Sequence, residues 1–483
     1  MGLLGVDIGS SGIKGVVFNE RGKVIASASA AYKVNFTKEG FVELSAEAMW
    51  KAFVSVVNSV AGQIKSLEID GLAVSSHGET LILADGKGEP IADAIMNSDN
   101  RAAKESRELT LKFGFEKIYK LSGAPPHAMF PLAKLRWLKK YQPHILKKAK
   151  RYLAVGDFIL GKLGLFSVID PSLASRTQLF DINARKWSES LCGELEPGAL
   201  SVVRPAGTVA GFLSLKYAKL LGLKKGTAVV VGGHDQACAA LGMGIIKGGV
   251  AGDSAGTYEC LSISSAKPHL EAHARASYLN SYCHVVPGQY ITLAFFGSGL
   301  MMRWFTENIC EVKDPSKIKI LLAELESEAE KGASGLNIVP HIVGALNPKW
   351  NPKATAMIAG IRPYTSRASI YRGILEGISK EVALNAGLLE RLDKNFKEIV
   401  ISGGGTNSKL GLILRASAVN KKLQILHTSE ASCLGAAILA GVGAGKFKDT
   451  KEGVRLMSRY NNTVKPDKKL SEQLKIKVVV TAV

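Results

Sequence analysis

The sequence predicts an α/β fold of two similar halves flanking a cleft. Two observations predict it. Apolar runs that stop at small-residue turns, with an acidic group at or beside each turn, occur three times, and the plan of the first run restarts near residue 242. Leu3–Asp7 runs into Ile8-Gly9-Ser10-Ser11-Gly12. Val229–Val231 runs into Gly232-Gly233-His234-Asp235-Gln236. Val250–Asp253 runs into Ser254-Ala255-Gly256-Thr257. Each reads as a buried strand with its turn. Such turns offer backbone N–H groups to a phosphate, while the carboxylate handles a metal or a proton. Three of them in one chain point to phosphoryl transfer.

The elements follow in order. Residues 2–28 read as a meander: strand Leu3–Asp7, strand Gly15–Phe18, a turn at Asn19-Glu20-Arg21-Gly22, and strand Val24–Ala26. Ala46–Ile64 has helical apolar spacing, with Ser45 as its N-cap. Ile69–Ser75 is a buried strand, and Leu81–Leu83 and Pro90–Ala94 flank the turn Asp85-Gly86-Lys87-Gly88. Strand and helix patterns alternate from there to Asp235. Val250–Asp253, the Gly256-Thr257 turn and Tyr258–Ile263 then repeat the opening meander. The duplication divides the chain into domains 1–242 and 243–483, hinged at the glycine-rich stretch Gly242–Gly249. Further on, strand Glu398–Ser402 leads through Gly403-Gly404-Gly405-Thr406-Asn407 to helix Leu410–Asn420 and strand Leu423–Leu426. A glycine triplet between strand and helix lets a planar ring or a phosphate lie against bare backbone. The end, Lys475–Thr481, alternates and then turns apolar, as a terminal strand would.

Composition narrows the class. A chain of 483 residues exceeds what one core organises. No segment approaches the roughly 18 apolar residues of a membrane span. The N-terminus enters a strand pattern with no basic leader, and Val6 stands where a myristoylation motif wants Ser or Thr. Six scattered cysteines without a Cys-x-x-C pair fit reduced thiols in a cytoplasm. The formal charge is +20, with lysine clusters at Lys139-Lys140, Lys147–Arg151 and Lys421-Lys422. No aromatic residues interleave with them, so nucleic acid is not the expected partner; a basic surface also draws in anionic nucleotides.

Several segments in one order resemble the FGGY family of carbohydrate kinases, within the actin-like ATPase superfamily. Asp7-Ile8-Gly9-Ser10-Ser11 resembles its first phosphate motif, and Asp99-Asn100-Arg101 its Asp-x-Arg sugar-site element. Lys134–Leu138 resembles its Lys-Leu-x-Trp helix, and Gly156-Asp157 with Asp170–Arg176 its central segment. Gly233-His234-Asp235-Gln236 resembles the catalytic Gly-x-Asp element, and Gly256-Thr257 the second phosphate motif. Tyr371–Gly377 resembles the C-terminal signature. Gly403-Gly404-Gly405, Glu430 and Gly435-Ala436-Ala437 resemble the adenosine-site region. The resemblance implies two RNase H-like domains and ATP-dependent phosphorylation of a small sugar. It makes Asp235 the general base and Asp7 the holder of Mg²⁺. Gly9, Ser10, Ser11, Lys14, Gly256, Thr257, Gly403, Gly404, Gly405 and Asn407 are then the ATP-binding set.

The acceptor wall is expected in Ser76–Thr80 and Asn97–Arg101, with His77, Glu79, Asn97, Asp99, Arg101 and Gln236 beside Asp235. Glu79-Thr80 and Gln236 are similar to glycerol kinases, but the Arg before that Glu is replaced by Gly78. Met129 stands where those enzymes have Tyr, and Asn97 where most relatives have Trp. The Gln-Met-His-Gly of many xylulose and gluconate kinases is absent, and Gly344–Pro348 departs from the usual Gly-Glu-Arg-Thr-Pro. A ketose is expected as acceptor, a pentulose or deoxyhexulose such as xylulose or fuculose. A polyol kinase of the glycerol or erythritol type and a non-catalytic, regulatory ATP-binding protein are the alternatives. The implied partners are ATP and a sugar or polyol, with no nucleic acid or membrane; a homodimer is open.

Overall fold

The computed structural model describes residues 2–64, 68–193, 195, 198–329 and 334–475. In the first sheet, β1 (Gly2–Ile8), β2 (Gly12–Phe18) and β3 (Val24–Ala31) form the expected antiparallel meander. β4 (Ile69–Ser76) lies parallel to β1. β5 (Val209–Phe212) and β6 (Ala228–His234) complete it, β6 parallel to β4 and β5 antiparallel on the outer edge. In the second sheet, β7 (Val250–Ala255) and β8 (Tyr258–Ser265) pair antiparallel. β9 (Asn280–Cys283) and β10 (Tyr290–Gly297) extend that side. β11 (Glu398–Ser402) and β12 (Lys422–Leu426) run parallel to β7, and β13 (Tyr460–Val464) closes the far edge. β1, β2, β3, β4 and β6 thus have counterparts in β7, β8, β10, β11 and β12: three antiparallel strands, then two parallel ones. The duplication expected from the sequence is the architecture.

Helix α1 (Ala46–Gln63) begins where the Ser45 hydroxyl accepts the Ala48 N–H at 3.2 Å. Its face of Met49, Phe53, Val56, Val57 and Val60 is buried against the meander, the pattern that stabilises an amphipathic helix. Four more helices matter for the site: α2 (Pro131–Tyr141), α3 (Asp235–Gly242), α4 (Lys409–Val419) and α5 (Ala431–Gly443). Although α5 lies in the second half of the chain, it packs on β1, β4 and β6 of the first sheet and on α3. Glycine makes that approach possible. A Cβ on Gly5 would fall 1.9 Å from the Cys433 carbonyl oxygen, and one on Gly435 would fall 1.8 Å from that of Cys238. One buried cluster therefore spans the halves, joining Leu3, Val230 and Leu241 to Leu434, Ile438 and Leu439.

Two local expectations change. Ile82–Ala84 pairs with Arg151–Leu153, and the expected local hairpin is reduced to isolated bridges, Ala84 to Pro90 and Leu81 to Ile95, with the Ile91 N–H donating to the Leu83 carbonyl at 3.0 Å. Lys468–Lys475 is helical, and the terminal strand expected across 475–481 falls beyond residue 475, outside the described residues. Among the described residues no helix is long and apolar enough to cross a membrane. All six cysteines are free.

The glycine contacts make a direct prediction. Gly5→Ala should lower stability by at least the roughly 1–3 kcal/mol of an overpacked core, because backbone atoms cannot yield as a flexible side chain can. Gly62→Ala on the exposed face of α1, where nothing lies within 4 Å, should be neutral or stabilising. Denaturation midpoints of the two variants measure the contrast.

Candidate active site

The first turn is braced by two hydrogen bonds. Gly9 N–H bonds the Gly12 carbonyl at 2.9 Å, and the Tyr32 hydroxyl donates to the Gly9 carbonyl. Ser10 and Ser11 are left exposed at the tip. Asp7 accepts from the Ser75 hydroxyl at 2.8 Å on one carboxylate oxygen. Burial pushes its carboxyl up to about 6, opposed by the Ser75 hydroxyl. Lys14, opposite Asp7 on β2, pairs with Glu430 at 2.7 Å, at the head of α5. Its charge is thus already partly matched by a carboxylate at the cleft edge.

Asp235 opens α3 directly after β6. The Gln236 N–H donates to its Oδ1 at 2.6 Å, and its side chain keeps 23% exposure. Burial, followed by the nearby charges of Asp7 and Glu79, raises its carboxyl well above the usual carboxylate range; the Gln236 N–H and Arg176 pull it back. The strand end is fixed by Asp170, which caps the short helix 171–175, and by Ser172, whose hydroxyl accepts the His234 N–H at 2.9 Å.

The acceptor wall divides in two. Glu79 sits with φ at +54° and accepts from Arg176 Nε at 2.5 Å; Arg176 continues to Asn280 of β9 at 3.0 Å. The buried Lys134 on α2 donates to the carbonyls of Glu79, Ile95 and Met96, holding both wall segments. Burial lowers its ammonium to about 7 against the pull of Asp99 and Glu79. Asn97 Oδ1 is buried with no partner.

Asp99, Arg101 and His77 do not fit the expected role. Both Asp99 oxygens accept two bonds each, from Arg101 N–H and Nε on one and from Val42 N–H and Arg101 Nη2 on the other. Arg101 also pairs with Glu43 at 2.8 Å and lies over the Phe41 and Trp137 rings. That carboxylate's acceptor sites are filled from within the protein, leaving none for a sugar hydroxyl. His77 is 3% exposed, with Nδ1 bonded to the Ile8 carbonyl and Nε2 to the Thr80 hydroxyl. Arg176 and Lys134, quoted for the resemblance but not ranked as site residues, take the positions that matter. Their long-range partners carry no sequence signal.

The three turns meet. Asp7, Gln236, Ser254, Gly256, Gly403 and Glu430 share one cleft of about 190 Å³. Glu430 was expected near the adenosine, whereas Ser402, Ser429 and Ala431–Cys433 also line the cleft and were not anticipated. Thr257, Gly404 and Asn407 lie exposed in the turns beside it. Gly403 and Gly405 press onto Ala255, where added Cβ atoms would stand 2.7 Å from its carbonyl oxygen and 2.6 Å from its Cβ. The third carboxylate is not in the cleft. Asp253 alternates with Ser254 along β7, so it points into the core, 1% exposed, 3.6 Å from Arg415, which also pairs with Glu259.

The FGGY carbohydrate kinase family model for the N-terminal domain matches residues 2–242, and that for the C-terminal domain residues 253–444. The xylulose kinase of Staphylococcus xylosus is 26% identical over 468 residues, covering 96% of this chain and 95% of that protein. The autoinducer-2 kinase of Klebsiella pneumoniae is 28% identical over 480 residues, covering 94% and 88%. The ligand-bound xylulose kinase structure from Lactobacillus acidophilus superposes with a TM-score of 0.87 at 21% identity, covering 98% and 95%.

Lys134→Met should leave the Glu79 carbonyl without its donor, while the Ile95 and Met96 carbonyls keep the Leu81 and Asp99 N–H groups. A buried polar group left unpaired costs about 1–3 kcal/mol, so chemical denaturation should show a loss of that order. A change under 1 kcal/mol would mean that water replaces the ammonium.

Proposed function

The chain belongs to the FGGY family of carbohydrate kinases, and from that premise we propose how this ATP-dependent phosphotransferase works and what it phosphorylates. Asp235 is the general base. The observation that carries this reading is its placement: a partly exposed carboxylate at the head of α3, with Gln236 on the cleft and the charge of Arg176, held by Glu79, near enough to favour its ionised form. Asp235 takes the proton of an acceptor hydroxyl as that oxygen attacks the γ-phosphorus of ATP, and ADP leaves. A carboxylate suffices because the hydroxyl becomes acidic only as the new bond forms.

The turns at Gly9–Ser11 and Gly256-Thr257 bind the phosphates, and Gly403–Gly405 with Asn407 bind the adenosine side. No group of three His, Cys, Asp or Glu gathers as a metal site among the described residues. That fits Mg²⁺ held jointly by ATP phosphates and one or two carboxylates, with the free oxygen of Asp7 the candidate. Bound there, the cation would neutralise phosphate charge. Gly242–Gly249 is the hinge between domains 1–242 and 243–483.

The acceptor is a ketose, a pentulose or deoxyhexulose such as xylulose or fuculose. The unpaired Asn97 Oδ1 and the Glu79–Arg176 pair make a polar wall that glycerol would leave largely unmatched. The relative from Staphylococcus xylosus is a xylulose kinase. Of the wall residues, Glu79, Asn97 and Gln236 make the substrate contacts.

Asp235→Asn keeps shape and removes the proton acceptor. It should lower turnover about 10²–10⁴-fold with nucleotide binding nearly intact, read by steady-state kinetics and calorimetry with ATP. Across glycerol, erythritol, xylulose, ribulose and fuculose, kcat/KM should peak at a ketose; glycerol as the best acceptor would overturn the reading of Asn97. The pH profile carries a sign. Only ionised Asp235 accepts the proton, and its carboxyl is held above the ordinary range. Activity should therefore fall on the acid side at a higher pH than a solvated carboxylate would give. Arg176→Met removes the cation that favours ionisation and should move that limb to still higher pH.

A further inference from the structure

We propose that His234 is a positioning residue that ties the carboxylate of Asp235 to Tyr282 in the second half of the molecule; the proposal rests on Asp235 being the base. The Tyr282 hydroxyl, on β9, stands 2.8 Å from His234 Nδ1, and His234 Nε2 stands 3.2 Å from Asp235 Oδ1. Tyr282 is fully buried and His234 is 4% exposed. The imidazole has little room to turn. Its backbone N–H is held by Ser172, the Tyr282 ring meets it edge-on at 85°, and a Cβ on Gly78 would come within 3.0 Å of its Cδ2.

One tautomer suits both contacts. The Tyr282 hydroxyl can donate to Nδ1 or accept from it, but an ionised Asp235 beside Nε2 favours the ring proton there, with Tyr282 then donating to Nδ1. Burial, with Arg176 and His77 beside the ring, keeps His234 neutral, so the contact orients Asp235 without adding charge. Oδ1 already receives the Gln236 N–H. It becomes the anchored oxygen, and Oδ2 is left to take the acceptor's proton. At 3.2 Å the two atoms are within reach but not lined up as a hydrogen bond, and the positioning role requires them to align in the productive complex, as catalytic contacts often do only there. Because Tyr282 belongs to the second sheet, the base is aligned only when the two halves are correctly set against each other. The Arg176–Asn280 bond makes a parallel tie beside it.

The test is a set of variants assayed on the full enzyme with ATP and its best acceptor, with denaturation midpoints measured alongside. His234→Leu should lower kcat about 10–100-fold while both KM values stay within about twofold, the signature of an interaction made only in the transition state. His234→Gln, whose amide N–H reaches toward the Nε2 position, should recover most of that loss. Tyr282→Phe keeps the ring packing; it should cost several-fold in kcat in the wild-type background and nothing in the His234→Leu background. Equal Tyr282→Phe effects in both backgrounds, or no rescue by Gln, would overturn the positioning role even where His234→Leu itself is unstable. Asp235→Asn retaining turnover would instead overturn the base assignment.

Discussion

Backbone touching backbone between the two halves sets the geometry of the cleft. Gly5 lies two residues before Asp7, and its missing side chain lets β1 meet the Cys433 carbonyl directly. Gly435 does the same for α3, whose first residue is Asp235. The strand that carries one carboxylate and the helix that carries the other are therefore both referenced to α5. Side chains between them would add several ångströms and rotamer freedom to a distance that phosphoryl transfer needs held closely.

Around that frame, buried cations hold irregular backbone in place. Lys134 joins two loops through three carbonyls, and Arg176 links Glu79 in the first half to Asn280 in the second. Arg415 lies beside the Gly403–Gly405 turn, close to Gly405 and paired with Glu259 of β8. Burying a charge is costly unless its hydrogen-bonding capacity is filled. Each of these sites fills it with groups that need fixing, so the desolvation cost goes with a defined loop conformation. Asp253 fits the same scheme: it is buried 3.6 Å from Arg415 and serves the core rather than the cleft.

The fold was legible because its signals are local. The strand–turn pairs at Asp7, Asp235 and Gly256, the cap at Ser45 and the glycine triplet at Gly403 are all written in consecutive residues. The site was legible only where a residue's chemistry is also local. Asp99 and Arg101 look like sugar ligands by type, but Glu43, Phe41 and Val42, some 57 residues away or more, satisfy them. His77 resembles a substrate contact until Ile8 and Thr80 take both ring nitrogens. Arg176 belongs to a recognisable segment, but its place in the wall is not legible because its partners stand 97 and 104 residues along the chain. Spacing reports which face a side chain takes, not which distant atoms have already filled its bonds.

The placement of α5 also decides what can be taken apart. The helix comes from the end of the chain but covers the sheet built at its beginning, and β9 is held by the Gly123 carbonyl of the first half. A polypeptide ending before residue 250 would leave the apolar faces of β1, β4 and β6 in water. One starting there would carry Leu434, Ile438 and Leu439 on a bare helix. The two repeats are thus copies in topology but not autonomous modules: as separate polypeptides they would be soluble only by finding each other, which makes the pair suited to fragment complementation and ill-suited to domain transplantation.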